Sequence, residues 1–286
     1  MKELALEVQG LTKRYPEFTL ENVSFSVPRG SVVGLIGENG AGKTTTLNLI
    51  LGVLPRDGGK IRLLGTPQEQ MEPAARSGLG VVFDGSSVPD SLTPAQLGKV
   101  LGDLYPTWEG KTYAGLLKRF ELPAGRPVKA LSRGMKMKLS MAAALSHGAQ
   151  LLLLDEATSG LDPVVRDDIL DLLLDFVQEE SHAVLISSHI TSDLEKIADY
   201  IVFLHQGKVV FELPKDELIY RYGILRCGAA QFEAMDKADL IAWRRRDYQF
   251  EALVADRAAC EAKYPHAVAD PATLDEIMLL YTKGER

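Results

Sequence analysis

The chain has 286 residues, is 46% hydrophobic and 25% charged, and carries a net charge of −7; this is the make-up of an ordinary globular protein, long enough for one large domain or one domain plus an appendage. An acidic balance offers no bulk attraction to nucleic acid, and the two cysteines, Cys227 and Cys260, stand far apart outside any C-x-x-C spacing, which argues against a disulfide framework or a zinc site and suits a reducing cytosol. No apolar run approaches the roughly 18 residues of a membrane span, and the start, MKELALEVQGLTKRYP, lacks the apolar core of a signal peptide, so any membrane role is expected from the cytosolic side through a separate membrane partner.

Along the chain, the runs LALEVQGL, FTLENVSFSV and SVVGLIG within residues 1–36 read as strands with turns at Pro16 and Pro28-Arg29-Gly30. Residues 43–54 read as a helix ending near Pro55. Residues from about 88 to 147 are mostly helical and interrupt the alternation of strands and helices, which predicts an inserted helical subdomain. LLLLD at 151–155 is the continuous apolar run of a buried parallel strand. Residues 162–180 form an amphipathic helix pattern, with Val165, Ile169, Leu172, Leu173 and Phe176 on one face and Pro163 in its first turn. HAVLISSH is another buried strand and ITSDLEKIADY a helix; residues 200–213 read as two strands about a Gln206-Gly207 turn. Such alternation predicts an α/β domain over residues 1–214, built on a largely parallel sheet. The character changes after Pro214, and residues 215–286 read as a small mixed α+β appendage. In it Tyr248, Phe250, Ala252 and Val254 alternate as in a strand, and residues 272–282 place Leu274, Ile277, Met278 and Tyr281 on one helical face. Its one compact basic run, Arg244-Arg245-Arg246 after Trp243, reads as a solvated strand edge in preference to a contact for acidic headgroups.

The chemistry starts at GENGAGKT, residues 37–44, which matches G-x-x-x-x-G-K-[ST] between a strand and a helix. Glycines let the backbone curl so that several N–H groups converge on one phosphate, and the helix start adds partial positive charge. Asn39, Gly40, Ala41, Gly42, Lys43, Thr44 and Thr45 are the expected cradle; Lys43 reaches the outer phosphates and Thr44 gives a hydroxyl to Mg²⁺. Asp155 and Glu156 end the LLLLD strand, at the sheet edge where open α/β folds bind ligands. Asp155 is expected to hold Mg²⁺ opposite Thr44, and Glu156 to orient or deprotonate the attacking water.

A further segment, ALSRGMKMKLSMAAAL at 130–145, puts Ser132 and Gly134 at a helix mouth with no catalytic group beside them. GENGAGKT, LSRGM at 131–135, LLLLDE, SGLD at 159–162 and His189 after VLISS stand in a fixed order, and over about residues 3–213 this set resembles the nucleotide-binding subunit of an ABC transporter. The resemblance implies a P-loop NTPase core with an N-terminal antiparallel β subdomain, ATP and Mg²⁺ as cofactors, and ATP hydrolysis coupled to transport. It implies a head-to-tail dimer, with itself or with a paralogous subunit, in which Ser132 and Gly134 contact the nucleotide of the opposite chain. It also implies that Tyr15 stacks on adenine, that His189 reaches the γ-phosphate beside the catalytic Glu156, that Asp162 links the two sites, and that a separate transmembrane permease is driven from the cytoplasmic side of the membrane. Three positions depart from the family pattern: Asp84, and in the signature Arg133 and Met135, the last standing in place of the Gln of LSGGQ. Asp84 stands where the family has a Gln that senses Mg²⁺, and is expected still to approach the metal; Arg133 replaces a Gly of LSGGQ and either strengthens the contact across the dimer or faces solvent. Signatures of the LSRG type are similar to those of two-component exporters, including ones for antimicrobial peptides. The competing readings are a soluble ABC ATPase acting on nucleic acid or ribosomes, and a catalytically weak regulatory module.

Overall fold

The computed structural model describes residues 3–83, 88–264 and 267–285. Its centre is a six-stranded sheet in the order β10 (Lys208–Pro214), β9 (Tyr200–His205), β3 (Ser31–Ile36), β8 (Ala183–Ser188), β7 (Leu151–Asp155) and β6 (Leu79–Val82). All neighbours are parallel except the β9–β10 hairpin. β3, β7 and β8 are buried along their whole lengths, as their uninterrupted apolar runs require of parallel strands covered on both faces.

Alternate residues of these strands feed two cores. Val33, Leu35, Leu151, Leu153 and Leu185 face a second sheet and the helix Lys43–Ile50. That sheet runs β2 (Thr19–Pro28), β1 (Leu4–Arg14), β4 (Gly58–Leu63) and β5 (Thr66–Pro67), antiparallel throughout. Val32, Ile36, Leu152, Leu154 and Ile186 face the other way, toward Leu139, Ile169, Leu173 and Leu194 on the helices Arg133–Leu145, Pro163–Phe176 and Thr191–Ile197. Between β6 and β7 come the helices Pro94–Leu104, Gly110–Arg119 and Arg133–Leu145, the first closed by a Thr93/Gln96 capping box.

A third sheet, order β12 (Ala242–Arg246), β13 (Gln249–Val254), β11 (Gly223–Cys227) and β14 (Ala269–Pro271), is antiparallel and has its own small core around Leu225, Phe232 and Val254. The terminal helix Leu274–Lys283 joins it to the rest by burying Leu274, Ile277 and Leu280 in the central core. Its start is locked reciprocally to the helix Thr191–Ile197: Thr191 Oγ1 donates to Asp275 Oδ1 at 2.7 Å, and the Leu274 amide donates to Glu195 Oε1 at 2.8 Å.

Two local expectations are corrected. The helix expected over 43–54 ends at Ile50, because Gly52 takes φ +72° and a left-handed residue closes a helix. The strand signal over 240–255 divides into the β12–β13 hairpin, turning at Asp247 with φ +54°, and Tyr248 lies in that turn, 92% exposed. The basic run is a strand edge whose Arg244 and Arg246 turn back to Glu251 on β13, at 2.5 and 3.5 Å.

Candidate nucleotide site

Strand register brings the expected residues to one level. Leu35 of β3 and Asp155 of β7 both pair with Ser187 of the intervening β8. The chain leaves β3 at Gly37, β7 at Glu156 and β8 at His189, so the phosphate loop, the acidic pair and the histidine emerge side by side from one edge of the sheet.

Gly42 shows why the loop needs glycine. It caps the helix Lys43–Ile50 at φ +109°, and a Cβ there would come within 2.9 Å of both Leu20 and Phe18. With no side-chain cap and no acidic residue in the first turn, that helix start keeps its positive end for an anion. Lys43, buried, folds over the loop: its Nζ donates to Gly37 O at 2.8 Å and lies 3.6 Å from Glu156 Oε1. Thr44 Oγ1 donates to Asp155 Oδ2 at 2.8 Å. On the far side of Glu156, Oε2 meets His189 Nδ1 at 2.5 Å. Glu156 adopts φ +52°, a left-handed conformation that costs a non-glycine residue on the order of 1–3 kcal/mol.

Lys43, Thr44, Glu156 and His189 line a cavity of about 780 Å³ with Tyr15, Glu17, Phe18, Glu38, Asn39, Gly40, Gly42, Thr45 and Ser159, whereas Asp155 is buried behind Thr44 and is not part of the lining. Tyr15, 38% exposed, stands at the rim with Lys13 Nζ 5.8 Å from its ring centroid. Ala41 does not line the cavity. Its side chain is buried and its carbonyl accepts from the Gly207 amide at 3.1 Å, so the Gln206-Gly207 turn pins the loop from behind. Ser132 and Gly134 are also absent from the lining. Ser132 caps its own helix, accepting from the Met135 amide at 3.2 Å, and Gly134 packs on Val165. Arg133 neither faces only solvent nor joins this cavity: a Cβ on Gly160 would come within 2.7 Å of its Nη1, so the guanidinium lies over the chain's own SGLD loop. Asp162 caps the helix Pro163–Phe176 through bonds from the Val164 and Val165 amides at 3.1 and 3.0 Å. Asp84 lies outside the described residues.

Chemically, the cavity suits a polyphosphate: backbone donors and a lysine on one wall, the Thr44 hydroxyl backed by the buried Asp155 carboxylate, and an aromatic ring at the rim. Among the described residues no group of three His, Cys, Asp or Glu side chains can hold a metal by itself. Thr44 and Asp155 are hard oxygen donors, the set that fits Mg²⁺ when phosphates and water complete its shell.

Comparison with known proteins agrees. The family profile for ABC transporters matches residues 20–159. The bacitracin transport ATP-binding protein BcrA of Enterococcus faecalis is 34% identical over 222 residues, 76% of this chain and 71% of the relative. This chain belongs to the ABC transporter ATP-binding family. It is an ATPase of that family, and its α/β fold is that of the family's cassettes. The Nod factor export ATP-binding protein I of Ralstonia nicotianae is 34% identical over 220 residues, 75% of this chain and 68% of its own. The solved ATP-binding subunit of an ABC transporter superposes with a TM-score of 0.69 at 28% identity, covering 76% of this chain and 92% of that one.

Sequence reasoning missed Glu17, Phe18, Glu38, Ser159 and Ser187. Glu17 and Phe18 lie in a turn with no motif spacing, while Glu38 and Ser159 lie inside GENGAGKT and SGLD at positions to which those motifs gave no role. Ser187 did leave a signal: a hydroxyl inside the otherwise apolar strand VLISS, where a fully buried polar group needs partners.

Proposed function

We propose that this ABC ATPase powers export through a separate membrane protein, and that it works as a head-to-tail pair in which each chain completes the other's nucleotide site. The observation carrying this reading is the division of the family's site residues. Lys43, Thr44, Glu156 and His189 share one cavity, whereas Ser132 and Gly134 lie outside it at a helix start with no catalytic group nearby. A second chain is the simplest source of a signature loop for that cavity. No helix among the described residues is long and apolar enough to cross a membrane, so in this reading the membrane-spanning part is a separate subunit. The names of the two relatives, one for bacitracin transport and one for Nod factor export, together with the LSRG-type signature, support outward transport.

In this reading the loop amides and Lys43 bind the β- and γ-phosphates, and Tyr15 stacks on the base. Thr44 and Asp155 hold Mg²⁺, which supplies positive charge against the phosphate oxygens; Asp84 belongs to the same group by its place in the motif. Glu156 orients the attacking water and takes its proton, and His189 fixes the Glu156 carboxylate until the γ-phosphate arrives.

The test is complementation. Lys43→Ala removes one half of the composite site, and Ser132→Arg blocks the other half. Each variant alone is expected to be inactive in ATP turnover, and mixing them is expected to restore activity, because one intact site forms between Glu156 of one chain and Ser132 of the other. Mixtures as inactive as their components, or full turnover by Ser132→Arg alone, reject the shared site.

A further inference from the structure

Ser187 touches both acidic residues of the nucleotide site. It is fully buried near the end of β8, directly opposite Asp155 in register. Its Oγ donates to Asp155 Oδ1 at 2.5 Å. The same oxygen accepts from the Glu156 amide at 3.1 Å, and the Ser187 carbonyl accepts from that amide at 3.1 Å as well. One residue therefore ties down a carboxylate oxygen of Asp155 and the backbone of Glu156, where φ is +52°.

Ser188 provides the contrast. Its hydroxyl accepts from the Ile190 amide at 2.9 Å and shapes the turn after His189. Successive residues of a strand point to opposite faces, so only Ser187 can reach β7 in this way. An apolar residue at 187 would leave Asp155 Oδ1 buried without this donor and would take one of the two acceptors from the Glu156 amide.

We infer that Ser187 is a positioning residue for the metal and the water of this ATPase: it fixes Asp155 so that Oδ2 is the oxygen on the Thr44 side, and it holds Glu156 in its left-handed backbone. The inference rests on the proposed roles of Asp155 and Glu156. It deepens them by assigning their orientation to a hydroxyl on the strand that leads to His189. That hydroxyl ties Asp155, the last residue of β7, and the backbone of Glu156 just after it to the strand that leads into His189, so the geometry of the metal oxygen and of the general base is set before any ligand binds.

The experiment uses the full chain, a non-hydrolysable ATP analogue and calorimetric binding, first in EDTA and then across a Mg²⁺ titration. Variants are Ser187→Ala and the shape-matched pair Ser187→Thr and Ser187→Val. Loss of the hydroxyl in Ala and Val is expected to raise the Mg²⁺ half-saturation about 10–100-fold while the metal-free affinity for the analogue stays within about twofold. Thr is expected to hold Mg²⁺ like the parent. If Ala fails to fold, as judged by its thermal unfolding, the Thr and Val pair decides. Ala or Val titrating with Mg²⁺ like the parent, or Thr as impaired as Val, overturns the role of the hydroxyl. A parent chain whose binding of the analogue is indifferent to Mg²⁺ would instead reject the assignment of Asp155 and Thr44 on which the inference stands.

Discussion

Among the described residues, Glu251 and Glu156 each meet more than one basic side chain, and only Glu156 lines the candidate nucleotide cavity. Glu251 on β13 meets Arg244 at 2.5 Å, Arg246 at 3.5 Å and Arg226 at 3.7 Å; Arg226 in turn holds Asp270 at 2.6 Å and Glu276 at 2.7 Å. Glu156 has a lysine at 3.6 Å and a histidine at 2.5 Å. Counting basic neighbours would single out Glu251, which lies outside the cavity. The difference lies in what surrounds the pairs. Glu251 stands in a regular strand, β13, and its arginines come from β11 and β12, so the cluster rivets one sheet and, through Arg226 and Glu276, the terminal helix together. Glu156 sits in a left-handed backbone on the wall of a 780 Å³ cavity, beside a lysine folded over the loop's own carbonyls and a helix start with no cap of its own. Strain, an open volume and uncommitted donors mark a place built for a ligand; dense reciprocal pairing marks a place built for stability.

That contrast breaks most readily at Glu156. Glu156→Gln is expected to lower ATP turnover about 10²–10⁴-fold with little loss of thermal stability, since the amide keeps the shape but not the base. Turnover close to the parent's would place the base elsewhere. Lys43→Ala removes the charged donor over the loop and is expected to weaken nucleotide binding by about 1.5–3 kcal/mol, read by calorimetry at fixed salt. Glu251→Gln should act in the opposite sense, lowering stability by about 1–3 kcal/mol while ATP turnover per folded molecule stays put.

Acid sharpens the same comparison. Burial pushes the Glu251 carboxyl up, but the hydrogen bond and charge of Arg244, with the charges of Arg246 and Arg226, outweigh it and hold the group below the usual carboxylate range. A depressed folded value means that the stabilisation is present above the unfolded value of about 4.3 and is lost as pH falls through the folded one. The thermal midpoint of the parent should therefore fall faster below about pH 4.5 than that of Glu251→Gln. The smallest effect concerns the join between the two regions. Asp275→Ala removes the acceptor of Thr191 and should cost about 0.5–1.5 kcal/mol. If the third sheet and the central domain unfold as one unit, a single transition shifts; two separated transitions would mean that the join contributes little.

Parts of this were legible in the residues because the information is local. GENGAGKT is contiguous, and its glycines, lysine and threonine act through neighbouring backbone. SVVGLI, LLLLD and AVLISS announce parallel strands because covering both faces leaves few polar positions, and those only near the strand ends. The β12–β13 turn was hidden, since Asp247 and Tyr248 interrupt no alternation and no Gly or Pro marks the bend. Arg133 was ambiguous for a different reason: its neighbour Gly160 lies 27 positions away, and nothing in LSRGM says which loop the guanidinium covers.

Taken alone, the order of amino acids determined the family and singled out the phosphate loop and the acidic pair as candidates, because each depends on short spacing and on what a strand or helix start does with particular side chains. Tertiary structure decided which residues stand at the same level: Asp155 opposite Ser187, Glu156 against His189, Ser132 away from the cavity, and three arginines around Glu251. Those juxtapositions follow from the order and register of strands far apart in the chain, and register is set by the packing of whole faces rather than by any one segment.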